Sequence, residues 1–285
     1  MAAFIVIMDE DVFETVRRFY ERYRKDKAIA GYSALGLPVY AFFVGRQEYP
    51  VLLFQYAIHA REWITAYLAL RHIERGIGRG GAWFLPLTNP DGAALSLRGE
   101  GFLSEISSER AAFLRRVNGG KDFSLWKANA NAVDLNVNFG AFWGTGKHNV
   151  RMPAPENYIG SRPFSEPETR ALRDFTLRVK PHATVSYHTK GEEIYYGFHA
   201  APASEKEGVL ARALSDETGY AARVIEESAG GYKDWCSLAL KIPAFTIEAG
   251  SDTLPHPLKE SDLGGITEKN IGVPRRLAEE LWKTK

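Results

Sequence analysis

Cysteine is nearly absent: Cys236 is the only one in 285 residues, so no intrachain disulfide can form. Long apolar runs are missing too, which removes the usual sign of a membrane-spanning helix. An excess of one charge is also lacking. With 36 basic against 35 acidic side chains, the chain offers no broad electrostatic footprint for nucleic acid or anionic lipid. Peptides or small molecules are the expected partners, with no nucleic acid and no membrane; the oligomeric state is not legible. Met1 to Glu10 lack the basic start and apolar stretch of an export signal, so the expected location is cytoplasmic. Repeats, low-complexity tracts and linkers are absent as well. We therefore expect one domain over residues 1–285, with an N-terminal helix at about 11–27 and a core from about 31 onwards.

What is present alternates between two periods. Residues 11–27 carry Val12, Phe13, Val16, Phe19, Tyr20 and Tyr23 at helical spacing among charges. Runs at 39–44, 51–58, 82–87, 182–187, 193–198, 221–225 and 244–248 are apolar, β-branched or aromatic and read as strands. Helical stretches fall at 61–75, 105–117, 166–179, 204–218 and 267–282. Such alternation predicts an α/β layer architecture. The segment 140–167, rich in Gly, Pro and Asn, is too long for a simple connection and is expected to shape a binding site.

The pair His59-x-x-Glu62 sits where a strand gives way to a helix, and that corner can aim two metal-ligating side chains at one point. Alone the pattern is weak, because a surface helix with a satisfied histidine produces it more often. Two distant segments add context: Ser186-Tyr187-His188-Thr189 ends one predicted strand and Phe245-Thr246-Ile247-Glu248-Ala249-Gly250 ends another. Strand ends are where open α/β sheets put their sites. His72, His148, His182, His199 and His256 lack a partner at ligand spacing and read as structural or surface residues. Cys236 reads as a buried, inert thiol.

Four motifs in order then carry a resemblance: His59-x-x-Glu62, Asn89-Pro90-Asp91-Gly92, Val133-Asp134-Leu135-Asn136 and Ser186-Tyr187-His188, followed by the strand end Thr246-Ile247-Glu248. From about residue 31 to about 272 the chain resembles the zinc carboxypeptidases. It is most similar to their bacterial branch that cuts the γ-D-glutamyl-diaminopimelate bond of cell-wall peptides. Trp126-Lys127-Ala128-Asn129, Gly231-Tyr232-Lys233-Asp234-Trp235 and the stretch from Asn157-Tyr158 to Thr169 carry that narrower likeness.

The resemblance implies a mixed central β-sheet flanked by helices on both faces and one Zn²⁺ per chain held by His59, Glu62 and His188. It also implies Glu248 as general base toward a zinc-polarised water. Arg61, Asn136, Asn131, Arg151 and Tyr232 are the expected substrate contacts. Asn89-Pro90-Asp91-Gly92 is a good turn signal, and its carboxylate is also available to orient a ligand histidine.

The pattern breaks in two places. Relatives that remove C-terminal residues carry arginine after the Asp-Leu-Asn asparagine, where it grips the terminal carboxylate; this chain has Val137. The second is the arginine expected two residues after Trp-Lys-Ala-Asn, which is Asn131, an amide that donates a hydrogen bond but brings no charge. The closing tyrosine of digestive relatives falls at Glu226, with Tyr232 the nearest aromatic hydroxyl. Arg151, Arg162 and Arg61 are the candidate replacement cations, and Arg151 in the 140–167 loop is the one we expect to act. Three functions stand side by side: a peptidase of muropeptides, the same zinc chemistry on ordinary C-terminal peptides or another amide, and a non-catalytic peptide-binding module. Retention of a full ligand set and of Glu248 argues against the last.

Overall fold

The computed structural model describes residues 11–198, 202–225 and 228–285. Met1 to Glu10, His199 and Glu226, on which expectations were placed above, lie outside them. Helix α1 (Val12–Arg22) starts on Asp11, whose carboxylate accepts from the Phe13 and Glu14 N–H groups. Strands β1 (Lys27–Tyr32), β2 (Pro38–Gly45) and β3 (Val51–Tyr56) follow. A short 3₁₀ turn, Ala60–Glu62, leads into α2 (Ile64–Arg75) and then β4 (Gly81–Leu85). Helices α3 (Pro90–Arg98), α4 (Glu100–Leu103) and α5 (Ser108–Asn118) come next, and a long stretch without further strands of the sheet runs to α6 (Pro167–Val179). The chain finishes with β5 (Ala183–His188), β6 (Glu193–Tyr196), α7 (Glu205–Thr218), β7 (Ala221–Val224), the single turn α8 (Tyr232–Trp235), β8 (Ala244–Glu248), α9 (Leu263–Asn270) and α10 (Val273–Lys283).

The strands form one eight-stranded mixed sheet in the order β1-β2-β4-β3-β5-β8-β6-β7. At its centre β4, β3, β5 and β8 run parallel, and antiparallel pairs flank them at β2·β4 and β8·β6. Alternation along β3 sends Phe54 and Tyr56 to one face and Leu53 to the other. Residues of α1, α2, α7, α9 and α10 cover the first face, and Leu172 and Phe175 of α6 with Trp235 of α8 cover the second. Central strands buried on both faces are rich in apolar, β-branched and aromatic residues with few polar ones, which is why β3, β5 and β8 are visible in the sequence.

Because β3, β5 and β8 are adjacent and parallel, their carboxyl ends open at one edge of the sheet. Register pairs Tyr56 with Tyr187 and His188 with Glu248. Residues 59–62, 188 and 248 therefore emerge together from segments far apart in the chain.

Candidate metal centre and active site

The β3 exit is fixed before any functional side chain is placed. Asn89 Nδ2 donates to the carbonyls of Ile58 (3.2 Å) and Ala128 (3.1 Å), and its oxygen caps α3 by accepting from Gly92 N–H. Ala60 N–H donates to Lys127 O at 3.0 Å. The Thr65 hydroxyl donates to Glu62 O (2.8 Å) and accepts from Ala57 N–H (2.9 Å). Apart from the partly exposed Lys127, the residues of this clamp are buried, so the turn carrying His59 and Glu62 has little freedom.

On that frame three donors converge. His59 Nδ1 lies 3.0 Å from Glu62 Oε1, and His188 Nδ1 lies 3.0 Å from both His59 Nδ1 and Glu62 Oε2. All three side chains are buried. Two imidazole nitrogens that close cannot both point a proton or both point a lone pair at the other without repulsion. A cation between them resolves the conflict. Zinc bonds of about 2.0–2.1 Å in tetrahedral geometry would separate two donors by roughly 3.3 Å, close to the spacing present. Nitrogen, nitrogen and carboxylate oxygen suit zinc, and three protein donors leave a fourth position for water or substrate.

Asp134 completes the arrangement. Its Oδ1 is 3.2 Å from His59 Nε2, the ring nitrogen facing away from the donor cluster, and its Oδ2 is 3.3 Å from Lys127 Nζ. Burial alone would raise the Asp134 carboxyl, but Lys127 and His59 outweigh it and hold the group well below the usual carboxylate range. Burial likewise opposes ionisation of Glu62, and the two histidines overcome it, again holding the carboxyl low. For His59 burial disfavours the charged ring, yet Glu62 and Asp134 raise its pKa. A carboxylate on the far ring nitrogen fixes tautomer and orientation in metal-bound histidines.

The expectation for Asp91 is corrected here. Its carboxylate accepts from the Ser33 hydroxyl (2.9 Å) and Leu35 N–H (2.8 Å) and meets no histidine. Asn89, two residues earlier, is the motif member that holds the β3 exit, and Asp134 is the carboxylate that approaches His59.

Glu248 ends β8 beside His188, with Glu193 of β6 as its cross-strand neighbour on the other side. Burial, reinforced by Glu62 and opposed by His188 and Lys127, pushes its carboxyl up to about 7. A bound dication would pull that value down again.

The expected substrate contacts divide. Arg61 points along the turn, with Nη1 3.4 Å from Leu125 O and 3.7 Å from Glu156 Oε2. Asn136 accepts from Tyr232 N–H through Oδ1 and is half-buried. Asn131 is already engaged at both ends: Nδ2 donates to Glu166 Oε2 (2.8 Å) and Oδ1 accepts from Arg110 Nη1 (2.7 Å). Arg151 is exposed and rests on the Gly144 carbonyl of its own loop at 3.5 Å, and no contact of the three donors involves it.

Tyr232 is corrected outright. It is 0% exposed and its hydroxyl shares a 2.8 Å hydrogen bond with Thr176 of α6, so it belongs to the core beneath the sheet. Tyr232→Phe should lower stability by about 1 kcal/mol and leave turnover unchanged, read by denaturant melts beside activity. A large loss of turnover at intact stability would return the hydroxyl to the site.

Lys127, Asp134 and Arg110 were not singled out for these positions. Lys127 and Asp134 stood inside quoted motifs, and that was their only signal.

Residues 21–270 match the zinc carboxypeptidase family. The chain belongs to that family. Among its relatives, γ-D-glutamyl-L-diamino acid endopeptidase 1 of Lysinibacillus sphaericus is 30% identical over 262 residues, covering 85% of this chain and 64% of that protein. The chain thus spans a little under two thirds of that relative's length. Murein peptide amidase A of Escherichia coli K12 is 33% identical over 129 residues, 43% of this chain and 50% of that protein. Among solved structures, bovine thrombin-activatable fibrinolysis inhibitor in complex with tick carboxypeptidase inhibitor superposes with a TM-score of 0.72 at 20% identity, over 96% of this chain and 95% of that one, a likeness of fold. The family is that of the zinc carboxypeptidases, and this chain brings together a His-Glu-His group that could hold a metal ion. Among the described residues no helix is long and apolar enough to cross a membrane.

Proposed function

We propose that the protein is a zinc peptidase hydrolysing the γ-D-glutamyl-diaminopimelate bond of small cell-wall peptides, with His59, Glu62 and His188 as metal ligands and Glu248 as base. The observation that carries the reading is the convergence of those three donors beside Glu248 on neighbouring strand ends. When bound there, zinc acidifies a water and polarises the scissile carbonyl. Glu248 accepts the water's proton during attack and returns it to the departing amine. Asp134 holds His59 in the tautomer that leaves Nδ1 free to ligate.

The substrate class is supported by what the two bacterial relatives are named for. Val137 departs from the guanidinium that carboxypeptidases place there, but diaminopimelate also carries a carboxylate beside the scissile amide, so Val137 does not by itself choose between the substrates. Gly230 is pressed so tightly on this segment that an added Cβ would come 2.8 Å from Val137 O. Because its φ is also +79°, the contact admits little but glycine. The apolar residue is therefore held in a packed turn. A cytoplasmic place of action on wall-derived peptides belongs to the proposal and is tested by cell fractionation.

The decisive experiment incubates the zinc-loaded protein with L-Ala-γ-D-Glu-meso-diaminopimelate and, separately, with an N-blocked dipeptide ending in phenylalanine. Mass analysis should find diaminopimelate released from the first and the second untouched. Efficient cleavage of the dipeptide alone would overturn the substrate class. Metal analysis of His188→Ala in parallel should show loss of most of the zinc that the parent retains, since one of three ligands is gone.

A further inference from the structure

Beyond β8, the face of the sheet that carries Glu248 continues in polar side chains. Cross-strand register puts Glu193 of β6 directly opposite Glu248 and Tyr195 opposite Thr246, and the pairing of β6 with the edge strand β7 sets Arg223 beside Tyr195. All five side chains therefore share one face. Like charges directly opposite each other in an antiparallel pair are destabilising, and the charge of Glu193 is felt by Glu248. The Glu193 carboxylate has two further partners: Arg223 Nε lies 2.7 Å from Oε1, and the Tyr195 hydroxyl donates to Oε2. Arg223 is 62% exposed, so this ion pair stands largely in water and contributes little to stability. The fold thus gains little from an acid placed next to the proposed base. The pair suits a ligand instead, one that brings a cation to Glu193 and an anion to Arg223.

The leaving group of the proposed reaction has that pattern. Diaminopimelate ends in a carbon bearing a second ammonium and a second carboxylate, and six bonds of about 1.5 Å set that ammonium about 7 Å from the scissile nitrogen when extended. Glu193 stands one strand spacing, about 4.8 Å, from Glu248, which returns its proton to that nitrogen, and the Arg223 guanidinium lies beyond Glu193. Lys233, another cation close to β6, is already engaged. It is buried, with Nζ donating to Gly197 O at 2.8 Å and to Asp234 Oδ1 at 2.7 Å.

We propose that Glu193 and Arg223 form the subsite that recognises the distal end of the diamino acid, Glu193 taking the second ammonium and Arg223 the second carboxylate, with Tyr195 steadying the Glu193 carboxylate. The proposal rests on the zinc-peptidase reading above. On binding, the Glu193–Arg223 pair opens, and each partner exchanges its contact with the other for one with the substrate, so no charge is left uncompensated. Lysine carries an ammonium at the same six-bond distance and no second carboxylate. Norleucine has neither group. The order of preference is therefore diaminopimelate, then lysine, then norleucine.

The test measures kcat/KM of the zinc-loaded parent, Glu193→Gln and Arg223→Met on L-Ala-γ-D-Glu peptides ending in meso-diaminopimelate, L-lysine or L-norleucine. In the parent, diaminopimelate should exceed norleucine by roughly 10²-fold and lysine by roughly tenfold. Glu193→Gln should lower the preference for both diamino acids over norleucine by about tenfold. Arg223→Met should bring diaminopimelate down to lysine and leave the ratio of lysine to norleucine as in the parent. Ratios within one variant cancel any influence of Glu193 on Glu248, which falls on all three substrates alike. A parent indifferent to the three peptides overturns the subsite and leaves the hydrolytic reading standing. Parental ratios in Glu193→Gln do the same, and with a pH profile displaced equally on every substrate they assign Glu193 to Glu248 alone. If the parent cleaves none of the peptides, the reading above fails by itself, and the subsite is judged by calorimetric titration with free meso-diaminopimelate. That ligand should bind the zinc-loaded parent roughly tenfold more tightly than either variant, and equal or absent binding in all three would overturn the proposal.

Discussion

Replacing Glu248 by glutamine should leave zinc and substrate binding intact while kcat falls by about 10³ or more. The amide keeps the shape of the carboxylate at the end of β8, where its register with His188 is set by the backbone and not by the side chain. It removes the proton acceptor, and general-base participation contributes typically about 10²–10⁴ in rate. The same group also has to deliver the proton to the leaving amine, so its loss is felt in both halves of the reaction. In the parent, activity should rise with pH as this carboxyl loses its proton. Burial pushes it up to about 7 without a metal, and a bound cation should move the midpoint lower. Steady-state kinetics on the muropeptide, with metal analysis of the same samples, checks both parts. Turnover at the parental rate in Glu248→Gln would remove this residue from the base position.

The second large effect is on stability. Glu168 of α6 is wholly buried, accepting from Ala34 N–H at 2.8 Å and Asn129 Nδ2 at 3.1 Å, and Asp91 is wholly buried near it. Burial, helped by the neighbouring Asp91, pushes Glu168 up to about 8, and burial pushes Asp91 up to about 6. Both values lie above those of the unfolded chain, so the folded state keeps protons that the unfolded state releases. The stabilisation is complete below about 4 and is lost as pH rises through the folded values, which is the reverse of a salt-bridged carboxylate. His72, buried and pushed down to about 4, has the opposite effect, but only up to its unfolded value of about 6.5. Between pH 6.5 and 8.5 the carboxyl effect should therefore dominate. Glu168→Gln should flatten the decline in that window and at pH 8.5 exceed the parent by on the order of 2–3 kcal/mol. Denaturant melts at the two pH values decide the matter; parallel pH dependence in parent and variant would mean that Glu168 is ionised in the folded protein.

Legibility followed the range of the interaction. The central strands are readable because burial on both faces favours runs of apolar, β-branched and aromatic residues, interrupted only by a few polar ones such as Gln55 and Ser186. β1 was missed: Lys27–Tyr32 is a partly exposed edge strand without a continuous apolar pattern, and its first residue, Lys27, fell inside the expected helix, which ends at Arg22. Asn89-Pro90-Asp91-Gly92 was read as a turn, and α3 behind it went unseen because an N-cap asparagine followed by proline is written in the same residues as a turn. The stretch 267–282 is two helices, α9 and α10, parted at Ile271-Gly272. Residues 61–75 begin in a 3₁₀ turn before α2 takes over.

At the site, the spacing of His59 and Glu62 was local and visible. His188 stands 126 residues beyond Glu62, and only the order of the motifs joined it to the pair. Which of two carboxylates, Asp91 or Asp134, would meet His59 depended on how the segment after α5 returns to the β3 exit, and spacing contains no such information. Tyr232 failed for a related reason: a polar tip on an aromatic ring is as suited to a buried hydrogen bond with Thr176 as to a ligand.

The division between strand ends and connections gives the fold a modular economy. The proposed hydrolytic residues His188 and Glu248 are aligned by main-chain pairing of β5 and β8, with His59 and Glu62 at the exit of β3, whereas the residues proposed to discriminate among peptides come from β6 and β7 at the sheet's far side, from the 140–165 part of the passage between α5 and α6, beyond Asp134, and from the turn before α8. Drift in those places can change diet without disturbing the reaction, and drift in β3, β5 and β8 cannot. A chimera carrying a relative's 140–165 segment on this sheet should thus inherit part of the donor's appetite and keep the recipient's catalytic clockwork.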